Sequence, residues 1–223
     1  MTSQALQEAI KANEDCLAEN QEQCLLLVPL LRLLAEGKPV PLERLAAVSR
    51  RPLEAIQSLL QCSDIEVDSE GRIVGWGLSL VPTPHQFRLG EQTLYAWCAL
   101  DTLLLPALLG RTAHIVSICP ATGKSVSLTV TPTQIERLEP ASAVVSVRLP
   151  EAETDLCEVR GSICLQGHFF ESHEDASAWP SLHPQALLLT VEEAAQLGRE
   201  LARQFLALAP GSLLSLKNGG ISA

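Results

Sequence analysis

Leu94-Tyr95-Ala96-Trp97-Cys98-Ala99-Leu100-Asp101-Thr102-Leu103-Leu104-Leu105-Pro106 carries the reading of the whole chain. Its run of Leu and Ala predicts an apolar helix in which Cys98 and Asp101, three positions apart, share one face. A thiol and a carboxyl group are then neighbours among Leu, Ala and Trp. Burial there disfavours the charged carboxylate and predicts a raised pKa for Asp101. A free Cys in a helix is most often a small buried hydrophobe. An Asp inside an apolar helix is harder to dismiss, because buried charges are rare unless paired or functional. The pair is therefore a candidate proton-transfer site.

Around that stretch, 223 residues give one domain, or one domain with a small appendage. Hydrophobic residues make up 47% of the chain, enough for a real core. The net charge of −10 and a pI near 5.0 argue against general affinity for nucleic acid or anionic lipid. Met1 to Asn20 lacks the basic start and apolar core of a signal peptide. The longest apolar run, Leu25 to Leu34, is broken by Pro29 and Arg32 and is too short to span a bilayer. A cytoplasmic protein with no membrane partner is expected. The seven cysteines are odd in number, with no Cys-x-x-Cys pair and no zinc-finger spacing. They read as free thiols, without a structural zinc.

Residues 1–24 read as a variable helical arm, loosely attached, with Cys16 and Cys24 incidental. Within 25–77, helices at Leu25–Ala35, Pro41–Val48 and Pro52–Gln61 precede a hairpin, Ile65–Val67 and Arg72–Trp76, turning at Asp68-Ser69-Glu70-Gly71. That is the outline of a winged helix-turn-helix. Its candidate recognition helix offers Glu54, Gln57 and Ser58 but no Lys or Arg, and the hairpin tip is acidic. DNA is not expected as a partner, since phosphate contacts need basic residues and only Arg50 and Arg51 are close by.

Residues 78–209 read as the catalytic α+β domain. Strands are predicted at Leu78–Val81, His85–Leu89, His114–Cys119, Ser125–Thr131, Ala143–Leu149, Ser162–Phe170 and Leu187–Val191. Pro132–Leu138 reads as a short helix and Glu192–Leu208 as an amphipathic one. In the strand Ser162–Phe170, Cys164, Gln166 and His168 would share a face. The tail, 210–223, reads as flexible. The fold class is α+β: a winged-helix-like helical front, then a mostly antiparallel sheet carrying the central catalytic helix.

The central stretch resembles organomercurial (alkylmercury) lyases. The likeness continues through Pro106-Ala107-Leu108-Leu109-Gly110-Arg111-Thr112-Ala113, Ala121-Thr122-Gly123, Ser125 to Val130, Ser162-Ile163-Cys164 and His168-Phe169-Phe170. Leu27 to Arg32 and Gly75 to Leu78 also fit, so the resemblance spans roughly Leu25 to Leu208. It implies protonolytic cleavage of the carbon–mercury bond of R–Hg⁺ to R–H and Hg²⁺, a step in mercury detoxification. It also implies that Cys98 and Cys164 are the catalytic cysteines, Asp101 the acid, and all three the holders of the metal. Cys119 matches a family cysteine read as structural. Many family members follow the second cysteine with another, and here that position is Leu165. No cofactor is implied. Hg²⁺ is the bound product, external small thiols support turnover, and a mercuric reductase is a candidate recipient.

Residue chemistry agrees, since mercury is soft and selects thiolates. Trp97, Leu100 and Leu103 suit a dry pocket for an organic group. Which thiol attacks first stays open. The alternatives are a mercury-responsive winged-helix regulator, a relative that only binds mercury, and a cysteine hydrolase using His114 or His168 as base.

Overall fold

The structure is a computed structural model that describes residues 3–61, 63–148 and 158–208. The readings of Cys62, Cys157 and the tail from 210 fall outside the described residues.

Four helices come first: α1 (Ser3–Glu19), α2 (Gln21–Leu34), α3 (Leu42–Ser49) and α4 (Leu53–Leu60). Helix α2 is the hub of this front, burying Leu26, Leu30, Leu31 and Leu34. Helix α4 turns Ile56 and Leu60 inward and leaves Glu54, Gln57 and Ser58 exposed. The hairpin follows as β1 (Glu66–Val67) and β2 (Ile73–Trp76), with Asp68 accepting hydrogen bonds from the Glu70 and Arg72 amides at its tip.

The wing is continuous with the main sheet. Strands β3 (Leu78–Ser79), β4 (His85–Leu89), β5 (Gln92–Ala96), β6 (Ala113–Ile118), β7 (Ser125–Val130) and β8 (Ile135–Glu139) join it in an eight-stranded antiparallel sheet, ordered β1-β2-β3-β5-β4-β6-β7-β8. A second sheet has β9 (Val144–Val147) at its centre, flanked by β10 (Phe169–Phe170) and β11 (Leu187–Thr190), both antiparallel to it. Helix α5 (Ala99–Leu109) runs through the core, packed against α8 (Val191–Leu208) and α2 and touching strands of both sheets, with buried Leu100, Leu103, Leu104, Leu105 and Leu108. Gly198 lets these two helices touch: a Cβ there would stand 3.1 Å from the Leu103 and Leu104 backbone. The expected α+β architecture, with a helical front and an antiparallel sheet carrying the central helix, is the one observed.

Four local expectations are corrected. The central stretch is not helical from Leu94. Leu94 and Ala96 are alternate buried positions of β5, paired with both β3 and β4, and the helix starts only after Cys98. Pro132–Leu138 is not a helix. The Thr131 hydroxyl accepts from the Thr133 and Gln134 amides, closing a turn that feeds β8 back along β7. Ser162–Phe170 is a strand only at its last two residues. A short helix α6 (Val159–Ser162) and a 3₁₀ turn at Cys164–Gln166 precede them, held by Ser162 Oγ on the Glu158 carbonyl (2.7 Å) and Gln166 Nε2 on the Ser162 carbonyl (3.1 Å). Such side-chain-to-backbone bonds compete with a sheet ladder. Between that turn and β11 lies one more short helix, α7 (Trp179–Leu182).

The arm is not loose. Asn13 donates to Gln204 of α8 across a buried 2.6 Å bond, and Gln204 in turn donates to Glu14 and to the Ile10 carbonyl. None of the described helices is long and apolar enough to cross a membrane.

Candidate active site

Cys98 sits where β5 gives way to α5, in extended conformation (φ −144°, ψ 172°), and caps the helix. Its sulfur accepts from the Asp101 amide at 3.4 Å, while the Asp101 carboxylate accepts from the Cys98 amide at 3.1 Å. This is a reciprocal capping box in which a thiol replaces the usual hydroxyl. The i, i+3 spacing thus brings the two groups together through the helix cap and not along a helix face.

Cys164 arrives from the turn after α6. Its sulfur, the Cys98 sulfur and an Asp101 oxygen all lie within 4.8 Å of one another. Gly167 makes the approach possible, since a Cβ there would meet the Cys98 Cβ at 2.9 Å. Its carbonyl accepts from the Ala99 amide at 3.0 Å, stitching the Cys164 segment to the first turn of α5. On the other side, Gly77 (φ +71°) faces the Asp101 carboxylate and accepts from the Trp97 amide at 2.9 Å through its carbonyl. Leu165, the residue after Cys164, points outward and is 58% exposed.

Glu66, from the wing, organises the other wall. It accepts from Trp97 Nε1 (3.0 Å), pairs with Arg160 of α6 and accepts from the Ser79 hydroxyl. The Arg160 guanidinium also lies 5.4 Å over the Trp97 ring, and the Arg160 amide donates to Asp64 at 2.7 Å. The segment that delivers Cys164 is therefore clasped to the wing.

These groups open on a largely apolar cavity of about 190 Å³. Leu27, Trp76, Leu100, Leu104, Ile163 and Phe205 supply much of its wall. Burial pushes the Asp101 carboxyl from 3.8 up to about 6, against the hydrogen bonds from Cys98 that favour its charge. The two thiols lie beside each other, and their mutual interaction pushes Cys98 well up while it works the other way on Cys164. Burial and the nearby Asp101 charge then keep Cys164 above an ordinary thiol as well. A resting site of two neutral thiols beside a carboxyl group that is mostly ionised near neutral pH, yet within reach of protonation, is the outcome.

All three residues singled out from sequence meet in this one place. Cys16 and Cys24, read as incidental, also line the cavity, although burial pushes Cys24 up to about 12 and raises Cys16. Cys119 is fully buried in a separate cluster with Val144, Phe170 and Ala176. Neither histidine of the hydrolase alternative lines the cavity. His114 bonds Thr129 on the exposed face of the sheet, and His168 stacks on His85 and meets Trp179 edge-on. Glu66 and Arg160 had no signal in the sequence. Gly167 had one, because a Gly inside a strand-like pattern marks close backbone approach.

Comparison with known proteins places these features in a family. The family model described as alkylmercury lyase matches residues 78–203, and that of the helix-turn-helix domain of alkylmercury lyase matches residues 6–77. An alkylmercury lyase of Staphylococcus epidermidis is 49% identical over 79% of this chain and 81% of its own length. One from Streptomyces lividans is 48% identical over 80% and 82%, and one from Pseudomonas putida 42% over 83% and 87%. A solved structure, the mercury-bound form of MerB2, superposes with a TM-score of 0.75 at 31% identity, covering 89% of this chain and 99% of that one.

Proposed function

The chain belongs to the alkylmercury lyase family and is an enzyme of that class, and from this premise we propose how its own residues cleave the carbon–mercury bond. Cys164, Cys98 and Asp101 carry the reaction. Cys164 captures the mercury of R–Hg⁺ first, because contact with Cys164 and burial push the Cys98 thiol well above the ordinary range while Cys164 is raised less. Its proton leaves to solvent. Cys98 then bonds the metal and passes its proton to Asp101, the nearest base, whose pKa of about 6 lets it hold that proton and surrender it again. With two thiolates on mercury, electron density moves onto the carbon. Asp101 protonates that carbon, the carbon–mercury bond breaks, and R–H departs. Hg²⁺ stays on the two sulfurs with the carboxylate beside it. One R–Hg⁺ and two thiols give R–H, a bis-thiolate mercury and one proton, so the step balances.

The observation that carries this reading is the meeting of two thiols and one carboxyl group within 4.8 Å on an apolar cavity. Soft metals select thiolates, and an apolar wall suits an organic group and excludes water from the transferred proton. No protein cofactor takes part in these steps. Small external thiols then strip the product, with a mercuric reductase as the macromolecular recipient, and the reaction belongs in the cytoplasm where such thiols are reduced. The winged-helix front serves here as a wall of the cavity and not as a DNA reader, consistent with the acidic and neutral exposed face of α4.

The test is hydrocarbon release from phenylmercury by purified protein with excess small thiol and nothing else added. Benzene over many turnovers is the expected result. Tight mercury binding without benzene would instead favour a sequestering protein.

A further inference from the structure

The turn that carries Cys164 has to satisfy each backbone carbonyl from Cys164 to His168, and each is met. The Cys164 carbonyl accepts from the Gly167 amide at 3.0 Å, and that of Gln166 from the Ser146 hydroxyl at 2.7 Å. The Gly167 carbonyl accepts from the Ala99 amide at 3.0 Å, and that of His168 from the Ser146 amide at 2.9 Å. Leu165 is left, directly after Cys164, and its carbonyl faces His168 Nε2 at 3.0 Å. A carbonyl oxygen only accepts, so the proton of this imidazole sits on Nε2. Burial, with His183 nearby, pushes the ring's pKa below the ordinary 6.5, and it is neutral at neutral pH. Its plane is fixed as well. The ring stacks on the buried His85 of β4, with 5.6 Å between centroids, and meets Trp179 of α7 edge-on at 5.0 Å. The His168 side chain thus ties the turn to the main sheet and to α7.

We propose that His168 is a positioning residue for carbon–mercury cleavage: its Nε2–H clamps the Leu165 carbonyl and so fixes where the Cys164 sulfur stands toward Cys98. The proposal rests on the cleavage reading for its setting. The imidazole does not line the cavity, so it acts through the backbone and not on the substrate. Cys164 opens a 3₁₀ turn of three residues, a geometry whose own hydrogen bonds are poorer than those of an α-helix. Release of the Leu165 carbonyl frees the peptide after it to rotate, and the sulfur one residue back moves with it. Two sulfurs and a carboxylate have to converge on one metal, and a misplacement of about 1 Å is already costly in rate. Partners one step behind the metal-binding groups normally supply that orientation.

Three variants separate the donor from the ring. His168→Gln keeps an N–H close to where Nε2 stands and loses the ring. His168→Phe keeps a ring and loses the donor. His168→Asn ends in an amide near the Nδ1 position, short of the Leu165 carbonyl. Phenylmercury kinetics and the affinity for Hg²⁺ in competition with a small dithiol are measured for each, normalised to folded protein. A neutral hydrogen bond of this kind is worth roughly threefold to tenfold. His168→Phe and His168→Asn are expected to raise KM by about that factor with kcat little changed, and to weaken Hg²⁺ binding alike. His168→Gln is expected to stay within about twofold of the native chain in both. A residue needed only for packing gives the opposite order, with Phe close to native and Gln impaired, and that order overturns the proposal. So does a KM and an Hg²⁺ affinity that stay put in all three. Where the Phe chain does not fold, the Asn chain carries the comparison. If the native chain cleaves nothing, the reaction reading fails by itself, and Hg²⁺ affinity across the same variants still judges the clamp.

Discussion

The two sulfurs of the site are held by opposite strategies. Cys98 belongs to the core. It follows an inner strand of the main sheet, caps a helix that is buried for almost its whole length, and sits in a reciprocal hydrogen-bonded box with Asp101. Cys164 stands in a short turn after a one-turn helix, far from any long element. What holds it is a set of individual bonds from elsewhere: Asp64 and Glu66 from the wing, Ala99 from α5, and Ser146 of β9, whose hydroxyl donates to the Gln166 carbonyl at 2.7 Å. One thiol is placed by secondary structure, the other by tertiary contacts. Damage to the first should therefore read as lost chemistry, and damage to the supports of the second as lost positioning.

The largest effects fall on the sulfurs themselves. Cys98→Ser and Cys164→Ser are each expected to lower turnover of phenylmercury on the order of a thousandfold or more, as when a group that bonds the substrate is removed. The comparison predicts a difference in stability. Serine is a better helix cap than cysteine, so Cys98→Ser should melt no lower than the native chain while failing to cleave. A fully active variant at either position would show that the wrong sulfur was chosen; a Cys98→Ser chain that melts well below the native one would contradict its role as cap.

Next comes the proton relay. Asp101→Asn keeps both sulfurs and the cap geometry but cannot carry a proton, so mercury should still bind while turnover falls by roughly 10²- to 10⁴-fold. The relay also fixes the sign of the pH dependence. Asp101 must start as the carboxylate to accept the Cys98 proton, so kcat/KM should rise through about pH 6 in the native enzyme. The folded pKa lies above the ordinary carboxyl value, so this group favours folding when protonated. Its contribution to stability declines as pH rises from about 4 to 6. An Asp101→Asn variant that retains the same rising limb would remove the relay from the scheme.

The same division explains what could be read from the sequence. The helices α2, α3, α4 and α8 and the hairpin β6–β7 show clear periodicity or turn residues, and they form close to where the pattern places them. Cys98 and Asp101 were legible because their spacing is local. The geometry was still misread, because i, i+3 is equally the distance from helix cap to third residue, and the capping box won over a continuous helix. Cys164 came from family resemblance alone. Its own segment read as a strand, since the bonds that turn it helical join side chains to carbonyls four residues back and leave no hydrophobic period. Glu66 was invisible for the same reason in stronger form. It sits in a short strand like any polar residue of a hairpin, and its partners at Trp97 and Arg160 lie 31 and 94 positions away.

The smallest effect is the most informative about that second strategy. Glu66 is mostly buried, with 12% of its side chain exposed, and it joins the wing, the residue before Cys98 and the segment before Cys164. Glu66→Gln keeps the size and can still accept from Trp97, but it removes the charge that holds Arg160. A charged hydrogen bond at a partly exposed site is worth about 1–2 kcal/mol, so kcat/KM should fall roughly tenfold. If Cys164 makes the first capture, the fall should appear mainly as a higher KM, because substrate meets a sulfur that is less often in place. Tryptophan emission should shift as well, because the Trp97 indole loses its anionic partner. Trp76→Phe and Trp179→Phe backgrounds isolate that signal. A residue that only supports the fold would behave differently, lowering the melting temperature and the active fraction while KM and the Trp97 emission stay where they were. That result would take Glu66 out of the positioning of Cys164 and leave the task to the bonds with Asp64, Ala99 and Ser146.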